Sequence, residues 1–136
     1  MSQENVEVVR RGVEAFARGA WDESIEWMDP AVQWRDTPNL PGAQLYRGRE
    51  GVLAQWRSTR EVFDDFTVDI DQFIDAGDQV VVFMRTSGRG RASGLQVSRE
   101  IVQVCTVRDG RVIEIVGYED PAEALRAVGL SEEPAR

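Results

Sequence analysis

The stretch VQVCTVRDGRVIEIVGYEDPAEAL, residues 102–125, decides the fold class because it contains three elements and two turn signals in a row. VQVCTV and RVIEIVGY are rich in β-branched residues, and the Asp-Gly pair between them is typical of a tight hairpin turn. Asp120 then precedes Pro121, which is an N-cap residue followed by a proline at the first helical position, so a short helix is predicted that ends before Gly129. This part of the chain therefore predicts two antiparallel strands followed by a helix.

Two further strands are predicted upstream of this hairpin. QVVVFMRTS (79–87) runs into a glycine- and arginine-rich segment, 88–95, that joins two strands and therefore predicts a hairpin rather than a nucleotide-binding loop. FTVDIDQFIDAGD (66–78) has apolar residues at alternate positions up to Ile70 and then at Phe73. One extra residue near Asp71–Gln72 would cause that shift, so this strand is predicted to contain a bulge.

Helical spacing of apolar residues predicts three more helices. They cover residues 3–18 with Gly19 as the C-terminal cap, residues 21–28 ended by Asp29–Pro30, and residues 48–63. One strand precedes the third of these helices and is predicted to run into a loop that contains Pro38, Asn39, Pro41 and Gly42. The resulting order, helix, helix, strand, helix, four strands, helix, has no βαβ alternation and so predicts an α+β fold with a mainly antiparallel sheet.

The chain shows no internal repeat, no linker and no shift of composition along its length. A single domain is therefore predicted over residues 1–130, and the last segment, residues 131–136, is predicted to be a flexible tail. No leader-like or membrane-spanning segment is visible, so a cytoplasmic location is expected.

Composition excludes several classes of function. The 136 residues include 24 acidic and 16 basic residues, giving a net charge of −8 without a basic stripe, so neither nucleic acid nor a membrane is expected as a partner. Histidine is absent and every basic residue is arginine, which excludes mechanisms that need histidine or lysine. The single cysteine, Cys105, cannot form an intrachain disulfide and is predicted to be a buried apolar side chain.

The first predicted strand ends with a carboxylate that shares one strand face with two apolar side chains. Because side chains alternate between the two faces of a strand, Val32, Trp34 and Asp36 share one face. Asp36 either orders the turn that leads into the loop or acts as a functional carboxylate.

Six short segments in register along the chain resemble the SnoaL-like branch of the nuclear transport factor 2-like superfamily over residues 3–130: VEAFARGAWD, DPAVQWRD, YRGREGV, FIDAGDQVVV, VQVCTVRDGRV and YEDPAEAL. The resemblance implies a cone-shaped, highly curved sheet, mixed but mainly antiparallel, wrapped around helices as in a cystatin-like α+β barrel. It also implies a cofactor-free cavity that in relatives holds a steroid, a polyketide, an epoxide or nothing, and a homodimer joined through the outer face of the sheet. In that fold Val32 and Trp34 would line the cavity, with Asp36 near its mouth.

Ketosteroid isomerases of this superfamily use a general base at the end of the first strand together with a tyrosine and a protonated aspartate. Here Asp36 takes the position of the base, or Arg35 does if the strand ends are aligned one residue differently. Gly12 and Gln103 fall at the positions of the two donors, so the resemblance does not carry steroid isomerisation over to this chain.

Two other chemistries of relatives are also incomplete here. Epoxide hydrolases of this fold use an Asp-Arg-Asp set, of which Asp120 matches one carboxylate while Met84 and Thr86 stand near the other positions. Polyketide cyclases depend on an aspartate with a neighbouring histidine, and Gln103 stands where many SnoaL-like sequences have that histidine. A glutamine can orient a carbonyl but cannot shuttle a proton.

The sequence therefore predicts a pocket protein that binds a small apolar molecule, with a carboxylate-dependent isomerase, cyclase or hydrolase activity left open. The predicted catalytic residues are Asp36 and Asp120, for which turn formation and helix capping are the structural alternatives. The predicted ligand-binding residues, for which core or loop packing is the alternative, are Trp34, Tyr46, Trp56, Phe63, Phe83, Gln103 and Tyr118. No metal and no cofactor are predicted. The alternative function is a non-catalytic ligand-binding or dimerisation module with structural carboxylates.

Overall fold

A computed structural model describes residues 2–36 and 44–130 of the chain. The helices are α1 (Ser2–Ala17), α2 (Trp21–Glu26), α3 (Gly48–Val62) and α4 (Pro121–Ala127). The strands are β1 (Met28–Arg35), β2 (Leu45–Arg47), β3 (Phe63–Ala76), β4 (Gln79–Gly90), β5 (Gln96–Arg108) and β6 (Arg111–Tyr118). The predicted loop of Pro38, Asn39, Pro41 and Gly42 and the predicted tail at 131–136 lie outside the described residues.

The strands form one curved, unclosed sheet in the order β2-β1-β6-β5-β4-β3. Neighbouring strands are antiparallel except β1 and β6, which pair in parallel through Gln33–Glu114, Trp34–Ile115 and Arg35–Val116. The predicted α+β class and mixed, mainly antiparallel sheet are confirmed. The first strand therefore pairs with the last one, and only the short strand β2 lies beyond it at that edge of the sheet.

Tight turns hold the hairpins in register where the sequence predicts them. Asp109 and Gly110 both have positive φ, 52° and 76°, which is the backbone of a type I′ turn between β5 and β6. The β3–β4 register shifts between Ile70 and Gln72, so the predicted bulge near Asp71 is confirmed. The segment around Gly94 joins β4 to β5 as a hairpin, as predicted.

The region before β1 differs from the sequence-based prediction. α2 ends at Glu26 rather than at Asp29–Pro30, and Met28 already pairs with Val112 of β6. Pro30 fits inside β1 because the pairing with β6 is irregular between Met28 and Gln33, where a residue without an N–H breaks no ladder hydrogen bond. The three-residue strand β2, which pairs with β1, is too short to leave a hydrophobic period and was not predicted.

Two apolar layers lie on opposite faces of the sheet. The larger one fills the concave side, where buried residues of α1, α3 and the strands pack together, among them Val9, Val52 and Trp56. The smaller one lies on the outer face, where Val81, Val102 and Val104 pack against Ala124 of α4. Helix α4 therefore covers part of the outer face, which is one reason why the central strands are apolar on both sides.

Candidate functional site

Trp56 is the centre of an aromatic cluster on the concave side. It lies in α3, where Val52 and Trp56 are the buried residues one turn apart, and it is only 3% exposed. Its ring centroid lies 4.7 Å from that of Phe16, 5.6 Å from that of Trp21 and 6.0 Å from that of Trp34. α1, α2, α3 and β1 thus each contribute one ring to this cluster.

A cavity borders this cluster between the helices and the sheet, and it has two chambers. The outer chamber has a volume of about 190 Å³ and opens to solvent, and the inner one has a volume of about 40 Å³. Five residues line both chambers, so the chambers adjoin each other: Phe16, Trp34, Trp56, Met84 and Gln103. The aromatic cluster therefore forms part of the wall of both.

The sheet side of the wall comes from alternate residues of two paired strands. In β5, Arg99, Ile101 and Gln103 share the face that looks into the outer chamber. In β4, Met84 pairs with Ile101 and Thr86 pairs with Arg99, so their side chains lie on the same face. Gln103 is 9% exposed, and it is one of two buried polar side chains among the described residues.

The charged groups on the wall are both guanidinium groups. Arg60 follows Trp56 by one helical turn, and its Cζ lies 4.3 Å from the ring centroid of Trp21. Arg99 donates from Nη2 to Oε2 of Glu119 at 2.9 Å. No carboxylate of the described residues lines either chamber. The charged side chains that line the wall are therefore opposite in sign to the net charge of −8, and Glu119 offsets part of the charge of Arg99 from behind the wall.

Two polar atoms on the wall side of α3 have no partner within the described part of the chain. Nε1 of Trp56 and Oε1 of Gln55 are both buried without a hydrogen bond. An unsatisfied buried polar atom costs roughly 1–3 kcal/mol, so such atoms mark places where another molecule is expected to complete the hydrogen bonding. Both residues line the outer chamber.

The structure brings four of the predicted ligand-binding residues together on this cavity: Trp34, Trp56, Phe63 and Gln103. Trp34 packs edge-on against Trp56, at an interplanar angle of 82°, so the predicted row of the first strand does reach the cavity. Val32, the other member of that row, is fully buried in the core and is not part of the wall. These placements do not test whether the residues bind a ligand.

Asp36 and Tyr46 lie together where β1 pairs with β2, and neither is part of the cavity wall. The N–H of Gln44 donates to Oδ2 of Asp36 at 3.3 Å, and the Asp36 N–H donates to the Gln44 carbonyl at 3.0 Å. Burial, the charge of Asp36 and a hydrogen bond with its side chain together raise the pKa of Tyr46. The expectation that Asp36 stands at the mouth of the cavity is corrected: it contacts residues that hold the strand edge.

Three other predicted residues lie on the outer face of the sheet. Phe83 and Tyr118 pack with Val81 and Val102, beneath α4, because they alternate with residues that face the cavity. Asp120 is the N-cap of α4, and its Oδ1 accepts the Ala122 N–H at 2.9 Å. None of the three lines the two chambers, so a contact with a ligand held there is not available to them.

Sequence reasoning missed several wall residues: Phe16, Trp21, Arg60, Phe66 and Arg99. Two of them left a readable signal. Arg99 precedes Gln103 by four residues in one strand, so both side chains lie on the same face of the sheet. Arg60 follows Trp56 by one turn on the same face of α3. Trp21 and Phe66 reach the cavity through the packing of α2 and β3, which local spacing does not reveal.

The described residues contain no group of three or more His, Cys, Asp or Glu side chains that could hold a metal ion. None of the helices within 2–36 and 44–130 is long and apolar enough to cross a bilayer.

The open curved sheet over α1 and α3 is the fold of nuclear transport factor 2-like proteins. One such protein from Burkholderia thailandensis is similar with a TM-score of 0.79 and 25% identity over 88% of this chain and 95% of that chain. A protein from Jannaschia sp. CCS1, provisionally assigned as a SnoaL-like polyketide cyclase, has a TM-score of 0.74 and 27% identity over 97% and 94% of the two chains. Bal32a, from a soil-derived mobile gene cassette, has a TM-score of 0.77 and 24% identity over 86% and 89%.

The sequence model of the SnoaL-like domain matches residues 9–115, and the chain belongs to that family. This confirms the resemblance on which the fold was predicted. A comparison with curated proteins found no significant match.

Proposed function

We propose that this protein binds a small, flat, largely apolar molecule in the two-chambered cavity. The observation that carries the proposal is the aromatic cluster of Phe16, Trp21, Trp34 and Trp56, which borders a cavity that opens to solvent. Aromatic faces and edges supply large apolar contact area, and flat rings stack on them with ring centroids about 4.5–7 Å apart. Membership of the SnoaL-like family also supports the binding of a small molecule, without indicating which one.

The size of the cavity limits the ligand. Sites for drug-sized molecules have volumes of about 300–1,000 Å³. The chambers here, about 190 Å³ and about 40 Å³, are smaller. One or two fused rings fit inside, whereas a four-ring steroid would have to extend through the mouth.

The placement of the carboxylates favours binding over acid-base catalysis. A general base has to come within hydrogen-bonding reach of the proton that it removes. Asp36 and Asp120 lie outside the cavity wall and make hydrogen bonds that order a strand edge and a helix start. We therefore assign both a structural role, which supports the ligand-binding alternative rather than a carboxylate-dependent isomerase, cyclase or hydrolase.

Calorimetric titration with a panel of neutral one- and two-ring aromatic compounds tests the proposal. We expect micromolar to millimolar binding by the wild type and, in Trp34→Leu, weakening by about tenfold because one face of the wall is lost. Phe83→Leu is the matched control, since Phe83 lies on the opposite face of the sheet. Absence of binding by every compound, or equal weakening in the two variants, would refute the proposal.

We also propose that the protein forms a homodimer through the outer sheet face. Support comes from the partly buried apolar side chains that remain beside α4, namely Ile74, Phe83 and Tyr118. The cytoplasmic location expected from the sequence stays a prediction.

A further inference from the structure

We propose that the cavity selects an aromatic anion, and that Arg60 and Arg99 hold its negative group. This inference rests on the proposed function and adds the charge of the ligand to it. The shared chemistry is a flat ring system bearing a carboxylate or another delocalised oxyanion.

The charged side chains on the wall are positive, whereas the chain as a whole is negative. The chain has 24 acidic residues against 16 basic ones, so a wall of average composition would hold more carboxylates than guanidinium groups. The described wall has the reverse: Arg60 and Arg99 line the outer chamber, and no carboxylate lines either chamber. Because apolar walls weaken the screening by water, a charge beside them acts more strongly on a ligand than the same charge on an open surface does.

Arg99 is held in place while most of its donors stay free. Its side chain is 41% exposed, and Nη2 contacts Glu119 at 2.9 Å. A guanidinium carries five N–H donors, so this contact leaves donors for an incoming anion. Glu119 fixes the orientation of Arg99 and does not itself line the cavity.

Arg60 is oriented by a different contact. Its guanidinium stacks over Trp21, with Cζ 4.3 Å from the ring centroid. A cation–π contact does not neutralise the guanidinium as an ion pair with a carboxylate would, so the charge of Arg60 remains available to an anionic ligand. Arg60 comes from α3 and Arg99 from β5, so the helix side and the sheet side of the outer chamber each carry one guanidinium group.

The buried indole of Trp56 is a second, independent indication of an acceptor on the ligand. Its Nε1–H can only donate, and it has no partner within the described part of the chain. Trp56 is 97% removed from solvent, since it is 3% exposed, and it lines both chambers. An oxygen-bearing ligand would satisfy this donor.

The test compares 2-naphthoate with 2-naphthamide, which have the same ring system and differ in charge. By isothermal titration calorimetry at low salt, we expect naphthoate to bind the wild type at least about fivefold more tightly, near the upper end for a half-exposed ion pair. Arg99→Gln and Arg60→Gln should each lower the ratio of naphthoate affinity to naphthamide affinity, because each removes a positive charge from the wall that only the carboxylate can use. Arg99→Lys should retain most of the preference, and added salt should diminish it.

Arg85→Gln is the matched control. Arg85 is in the neighbouring strand, β4, and its side chain does not line the outer chamber; its Nη2 lies 3.6 Å from Oε1 of Glu100. Replacing it by glutamine changes the net charge by the same amount as Arg99→Gln does. Equal binding of the two probes by the wild type, or an equal effect of Arg85→Gln and Arg99→Gln, would overturn the anion preference while the proposed binding function stands. If neither probe binds while a neutral compound of the panel does, this inference fails and the proposed function stands; if no compound binds, both fail.

Discussion

Asp120 shows at the scale of one residue how a candidate catalytic group can be explained by local structure. Its side chain accepts the N–H of Ala122, the φ and ψ angles of Asp120 are extended, and Pro121 follows at the first helical position. These are the features of an N-cap, which satisfies one of the free N–H groups at the start of a helix. The carboxylate is thus used within α4.

Replacing Asp120 tests its role as the N-cap of α4. We expect Asp120→Ala to lower the free energy of unfolding by about 1 kcal/mol, and Asp120→Asn to change it little, because asparagine caps helices as well as aspartate does. Urea unfolding followed by circular dichroism measures both. A large loss of stability in the asparagine variant would contradict a capping role.

The buried thiol of Cys105 makes the free energy of unfolding depend on pH in the alkaline range. Burial raises the pKa of its thiol from 9.0 to about 12, so the folded chain keeps this proton at a pH where the unfolded chain releases it. The stabilising effect is therefore complete below pH 9 and is lost as the pH rises towards about 12. The loss amounts to about 1.4 kcal/mol for each pH unit in that window.

Urea unfolding at pH 8, 9, 10 and 10.5, with a reducing agent present, tests this. We expect the wild type to lose stability more steeply with pH than Cys105→Ala, even though the variant is less stable at pH 8 because of the methyl-sized gap it leaves. Parallel curves for the two proteins would show that the thiol does not titrate as its burial implies.

At the scale of elements, the contact between β3 and β4 shapes the cavity. Gly88 of β4 is buried, and a Cβ added to it would lie 3.1 Å from Cβ of Phe63, which is tighter than nine in ten real Cβ contacts, so Phe63 would have to shift by a few tenths of an ångström. Phe63 in turn lines the outer chamber. The absence of a side chain at Gly88 is therefore what lets Phe63 occupy its place in the wall.

Gly88→Ala should force Phe63 to move. We expect a loss of about 1–3 kcal/mol in the free energy of unfolding, as for other overpacked sites, and weaker binding of any aromatic ligand. Ser87→Ala, at the preceding position of the same strand, should change stability by less than about 0.5 kcal/mol. Denaturant unfolding measures the difference, and similar losses in the two variants would argue against the packing explanation.

The elements also show what a sequence can and cannot specify. Turn residues and hydrophobic period predicted the hairpins, the bulge at Asp71 and the cap of α4, because each depends on neighbouring residues only. The face of Phe83 was ambiguous, since its neighbours Val82 and Met84 are also apolar and no alternation is left to read. The same holds for Tyr118 at the end of VIEIVGY. Residues in such doubly apolar strands take their side from tertiary packing.

For the whole molecule, the proposed homodimer depends on the outer face of the sheet. α4 covers Val102 and Val104, but Phe83 and Tyr118 remain only partly buried beside it. Sedimentation equilibrium should give a mass twice the 15.3 kDa of the chain. Phe83→Arg should shift it to the mass of one chain, because a charge on this face would have to be desolvated in the interface. A single-chain mass for the wild type at micromolar concentration would refute the dimer.

The parallel pairing of β1 with β6 has a consequence for synthesis on the ribosome. β1 ends at Arg35, but its partner is complete only when Tyr118 has been translated. At about 5–20 residues per second this separation of some 80 residues lasts roughly 4–16 s. During that time Gln33 and Trp34 lack Glu114 and Ile115, which pair with them in the finished sheet. The pairing of β1 with β6 is therefore among the last contacts of the sheet that can form during translation.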